Sequence, residues 1–129
     1  MIPYEMKVQA LERTMVDKVF AICDYHMKGN VRRHSRHIYD IYKLLQIVPQ
    51  NEDFKKLVAE VREVRAKNVS LCLSAQPGVN VPEILSCIAE NDVYRADYEE
   101  LTKNILQEDI SYDTVIEAVK EIAQSEMFR

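Results

Sequence analysis

The side chains of this sequence with the types and spacing to do chemistry gather in its first forty residues. The segment VRRHSRHIYDIY sets three arginines and two histidines within residues 32–37, directly before a run with helical spacing. Cations at a helix start work against the macrodipole, so this placement does little for local stability. Free N–H groups beside the guanidinium forks of Arg33 and Arg36 would instead make an anion site suited to phosphate oxygens. Asp40 follows in the same segment, and Lys18 precedes it on another helical run. Two consecutive helices joined by a short connection usually pack antiparallel, and in such a hairpin Lys18 and Asp40 can approach each other.

Each of these residues also has a plainer reading. On a wheel of about 100° per residue, Lys18 lies at the edge of an apolar arc from Leu11 to Phe20, beside Ile22 and Tyr25. There a lysine stem covers apolar surface while its head reaches water. Asp40 stands four residues after Arg36 and three before Lys43, so the three can form exposed pairs worth ~0.2–0.5 kcal/mol each. The Arg/His run is by composition also a solvated basic loop. Glu12 falls inside the apolar arc, and near a helix start it would complement the dipole or cap free N–H groups.

The elements that must position these residues read almost entirely as helix. Apolar positions recur at helical spacing from Leu11 to Lys28, and Gly29-Asn30 supplies a stop. A second helix spans Ser35 to Ile47, with Ser35 as N-cap and Ile38, Ile41, Tyr42 and Leu45 on one face, before Pro49. After Asn51, FKKLVAEVREVRAKNVSLCL predicts a long third helix, closed by the turn signal Gln76-Pro77-Gly78. Asn80 caps a short helix with Pro82 in its first turn, residues 92–108 form a fifth helix, and Ser111 caps a sixth that runs to the C-terminus. The expected fold is all-α: a compact bundle of about six helices forming one domain over residues 1–129. The opening MIPYEMKVQAL could pair as an edge strand if a sheet existed elsewhere.

Composition narrows the function classes. A chain of 129 residues with 47% hydrophobic and 29% charged residues can bury a core. Its apolar runs are too short to span a bilayer and no signal-peptide pattern opens it, so no membrane role and a cytoplasmic location are expected. Cys23, Cys72 and Cys87 are widely spaced and odd in number, which suits reduced core thiols and argues against disulfides, a metal site or a catalytic cysteine. Gly29 and Gly78 belong to no glycine-rich phosphate cradle. The net charge is −4, but residues 1–50 hold 8 Lys+Arg against 5 Asp+Glu and residues 51–129 hold 9 against 16. An anionic ligand would therefore meet the N-terminal third.

Taken together, ALERTMVDKVFAICDYHMKG followed by RHSRHIYDIYKLL resembles the third and fourth motifs of the AbiEii-type nucleotidyltransferase toxins, and DYEELTKNILQED fits their helical C-terminal region. The resemblance covers nearly the whole chain. It implies that Lys18 contacts nucleotide phosphates and that Asp40 orients that lysine or the acceptor, with Glu12, Arg13, Arg36 and His37 as lesser members of the same motifs. In that family a two-layer catalytic domain supplies a Gly-Ser turn and an Asp-x-Asp pair that hold divalent metal and the nucleoside triphosphate. This sequence has neither, and its nearest acidic groupings, Glu52-Asp53 and Glu108-Asp109, are adjacent rather than alternate. The chain on its own is accordingly expected to be inactive and to hold no metal; Mg and a nucleoside triphosphate are expected only with the missing half. That half would be lost by truncation of the gene, the preferred expectation, or carried by a separate chain. An antitoxin or catalytic-half partner, a homodimer through the uncovered face, and a nucleotide or RNA acceptor in the complete enzyme complete the expected partners.

Two other classes fit parts of the sequence. Arg32, four residues and His37 match the loose signature of HEPN-type helical ribonucleases, in which a histidine can serve as acid or base on RNA, though such a pattern arises easily in any basic stretch. A partner-binding helical module without catalytic descent would show neither nucleotide affinity nor activity.

Overall fold

In the computed structural model, which describes residues 4–106 and 108–129, the first helix begins well upstream of its apolar arc. Helix α1 spans Tyr4–Met27. The opening is therefore helical from Tyr4 onward, and no described residue is in a strand; the first three residues of the suggested edge strand lie outside the described residues. Met15, Val16, Val19, Phe20, Ile22 and Cys23 are fully buried, which makes α1 the spine of the core. Gly29 ends it as the turn signal predicts: its φ of 69° lies in the left-handed region that a Cβ disfavours, and the Asn30 N–H returns to Tyr25 O at 2.9 Å.

Helix α2, Arg36–Leu45, packs along α1 and buries Ile38, Ile41 and Leu44. Ser35 precedes it but does not cap it; the His37 and Ile38 N–H groups bond the carbonyls of His34 and Ser35 instead. Helix α3, Glu52–Ala66, is capped by Asn51, whose side chain accepts from the Phe54 N–H at 2.9 Å. It stops short of the predicted Leu73. Asn68 Oδ1 accepts from the Leu71 N–H, a local bond that competes with helix continuation, and Gln76 Nε2 donates to the carbonyls of Ala66 and Cys72, both at 3.1 Å.

Helix α4, Val81–Glu90, starts at Asn80, which accepts from the Glu83 N–H. The fifth helix is a composite over residues 95–105, here α5: an α turn Arg95–Asp97, a wider π segment Tyr98–Thr102 and a final turn Lys103–Ile105. Helix α6, Tyr112–Gln124, is capped by Ser111 as expected. It breaks at Ser125, and the 3-10 turn Glu126–Phe128 folds Phe128 inward, edge-on to Phe20 and Phe54. Helix α1 packs against α2, α3 and α4, while α6 packs against α2 and α4, so one cluster of buried side chains links all six elements. The all-α bundle of about six helices is the fold the sequence predicts.

Candidate functional site

Helices α1 and α2 run side by side, and their facing edges carry the residues of interest. Lys18 Nζ donates to Asp40 Oδ2 at 2.9 Å, with the two side chains 25% and 24% exposed. Lys18 is thus more than a boundary residue covering apolar surface: its head is held by a carboxylate from the next helix. The exposed pairs predicted for Asp40 do not form. Lys43 turns instead to Glu108, with Nζ 2.9 Å and 3.2 Å from its two oxygens, and Arg36 is exposed without an ion pair among the described residues. A long-range partner won over both local ones.

One turn before Asp40, His37 packs beside the pair. The rings of Tyr25 and His34 stack with centroids 3.6 Å apart and planes 3° from parallel, and the His37 ring lies nearly parallel to both at 6.0 Å. Burial, and then the nearby Lys18 ammonium, push the His37 pKa down to about 4 against the pull of Asp40, so the imidazole is neutral at physiological pH. The site therefore has one positive and one negative side chain, a neutral imidazole, and an aromatic floor from Tyr25 and His34.

The anion site expected at the start of α2 is organised differently. Its loop N–H groups are already occupied, because the Asp97 carboxylate of α5 accepts from the Arg33 N–H at 2.6 Å and from the Ser35 N–H at 3.1 Å. The Ser35 hydroxyl is 2.6 Å from that of Thr102. An internal carboxylate thus takes the place foreseen for an external phosphate, and the exposed side chains of Arg32, Arg33 and Arg36 are what the loop offers a ligand. Arg32 lies 3.9 Å from Glu100, and no hydrogen bond or ion pair joins it to His37, as a ribonuclease pairing would need.

Glu12 and Arg13 are not drawn into this cluster. They sit roughly 120° and 140° around α1 from Lys18, and Arg13 is exposed. Because α1 begins at Tyr4, Glu12 lies in its third turn and cannot serve as a first-turn dipole partner. Asp97 and Thr102, which hold the loop, escaped the sequence reading. So did Asp24, which is buried on the other edge of α1 and accepts from Arg65 Nη2 at 2.8 Å, from the Ser74 N–H at 2.8 Å and from the Ser74 hydroxyl at 2.6 Å.

Among the described residues no three His, Cys, Asp or Glu groups converge on one point as metal ligands would, and one oxygen of Asp40 is bonded to Lys18. No helix among the described residues is long and apolar enough to cross a membrane.

Helices α1 and α2 thus present an ammonium and a carboxylate clasped between them, with a basic loop alongside. The chain belongs to the AbiEii family: the sequence model described as nucleotidyl transferase AbiEii toxin, type IV TA system, matches residues 1–124. No curated protein and no solved structure matches the chain.

Proposed function

We infer that this chain supplies the phosphate-contacting wall of a nucleotidyltransferase toxin, with Lys18 binding the triphosphate and Asp40 orienting Lys18. The observation that carries the reading is the 2.9 Å pair at the edge of the basic loop. Nucleotidyl transfer develops charge on the leaving pyrophosphate, and an ammonium fixed at a partly desolvated boundary stabilises that charge. The pair is open enough to be useful. A salt bridge exposed to this degree is worth only ~0–1 kcal/mol, so Lys18 can turn part of its hydrogen bonding toward a phosphate at small cost while Asp40 keeps it in place.

The sequence carries no Asp-x-Asp pair, so in this reading the carboxylates that would hold a divalent ion and complete the reaction belong to a separate catalytic half. The chain by itself is inactive in this reading. An antitoxin is the partner the family description implies, and the arginines of the loop give the wall its attraction for a nucleotide or RNA acceptor.

Inorganic tripolyphosphate titrated into the isotope-labelled chain tests this directly. Amide resonances of α1 around Lys18 and of α2 around Asp40 should shift together, and Lys18→Gln should weaken binding at least tenfold. Equal binding by the variant overturns the assignment, and metal-independent RNA cleavage abolished by His37→Ala would replace it with the ribonuclease reading.

A further inference from the structure

The start of α2 is tied to another helix where it could have been capped locally. A serine before a helix ordinarily gives its side-chain oxygen to a backbone N–H two or three residues on. Ser35 instead sits in helical conformation and bonds Thr102 across a sequence separation of 67 residues. The two N–H groups that flank His34 go to Asp97. Ser35, Asp97 and Thr102 are all buried, and burial alone would raise the Asp97 pKa, yet the bonds from Arg33 and Ser35 outweigh it and keep the carboxyl below its ordinary value. The Arg33 backbone between them is left-handed, with φ at 71°, a strained setting for a side-chain-bearing residue that persists only where surrounding contacts enforce it.

The π segment of α5 explains how two residues five apart can act together. On an α-helix Asp97 and Thr102 would point roughly 140° apart. The Tyr98–Thr102 stretch closes its bonds five residues back, as the Lys103 N–H to Tyr98 O bond shows, so residues at this spacing come to stand one turn above each other. Asp97 grips the loop backbone and Thr102 grips the Ser35 hydroxyl from one face. Single π turns inside helices occur often at functional sites, and here the wide turn has an identifiable use.

We propose that Asp97 and Thr102 are positioning residues that set the entry of α2, and through it the placement of Asp40 against Lys18 and of His34 and His37 against Tyr25. The proposal rests on the reading of Lys18 and Asp40 as the phosphate-contacting pair. The loop between α1 and α2 has no other carboxylate on its backbone N–H groups among the described residues. Releasing it frees the strained Arg33 turn, lets α2 rotate or fray at its first residues, and uncovers the His37 ring.

Thr102→Val removes the hydroxyl with little change in shape, and Thr102→Ser restores it. Two readouts separate this proposal from the reading beneath it: the affinity for inorganic tripolyphosphate, and the imidazole titration of His37 followed by NMR. Thr102→Val and Asp97→Asn should each weaken tripolyphosphate binding about tenfold and move the His37 pKa upward from about 4 toward that of an ordinary histidine, while Thr102→Ser matches the unaltered chain in both. Val58→Ala, a core change on α3 away from the loop, should lower the melting temperature without moving His37. A folded Thr102→Val chain with unchanged affinity and unchanged His37 titration overturns the proposal. If Asp97→Asn does not fold, Thr102→Val decides alone. Failure of Lys18→Gln to weaken binding removes the phosphate reading, whereas the His37 titration still reports whether the latch positions the site.

Discussion

Helix α1 carries a carboxylate–cation pair on each edge of its apolar arc, and the two are built in contrasting ways. Toward α3, Asp24 is 4% exposed and spends both oxygens: one on Arg65, the other on the backbone and hydroxyl of Ser74. Arg65 also lies 3.4 Å from Asp17 and over the Phe20 ring. Toward α2, Lys18 and Asp40 share one hydrogen bond, stand about a quarter exposed, and adjoin a neutral imidazole and a basic loop. The first pair is closed to ligands because its bonds are already used within the chain. The second keeps donors, acceptor capacity and solvent access in reserve. Bonding left uncommitted is thus what separates the pair proposed as a site from the pair that serves as scaffold.

The largest effect should come from breaking the closed pair. Asp24→Ala leaves the partly buried Arg65 with only its longer bond to Asp17 and strips the Ser74 N–H of its acceptor, a loss of about 3 kcal/mol, read as a lower midpoint in urea unfolding. A smaller and pH-dependent effect belongs to the open site. An unfolded histidine takes up its proton near pH 6.5, but His37 in the fold does so only near 4. Between those values the unfolded chain binds more protons, so stability falls as pH drops through the window and is level above it. Allowing for the partly exposed ring, the drop is ~1–2 kcal/mol, and His37→Asn should flatten the curve. The smallest effect is expected from Lys18→Met, within about 1 kcal/mol of the unaltered chain. If Lys18→Met costs as much as Asp24→Ala in the same urea series, the contrast between the two edges is lost.

How much was legible in the sequence follows from the range of the interactions involved. The apolar spacing from Leu11 onward marked α1 because helical periodicity is local, and Asn80 and Ser111 marked the starts of α4 and α6 because their caps act within three residues. The approach of Lys18 to Asp40 could be anticipated from a short connection between two helices. What the sequence hid was set by distant partners. Asp24 is an acidic residue at an arc edge until Arg65 and Ser74 are brought to it, and Ser35 carried every mark of a cap until Thr102 took its hydroxyl. Asp97 and Thr102 fall on different sides of an α wheel, and only the π turn, which no spacing rule announces, puts them together. The end of α3 was placed too late because the Gln76 side chain, returning from the following turn, ties down the carbonyls past Ala66.

The inward turn of Phe128 bears on the order in which the core can close as the chain is made. The rings it meets, Phe20 and Phe54, belong to α1 and α3, and Arg62 of α3 reaches the Phe128 carbonyl. Those helices leave the ribosome long before Phe128 does. Until it arrives the rings of Phe20 and Phe54 lack the third member of their cluster, so closure of that part of the core waits for residues far downstream of the helices that line it.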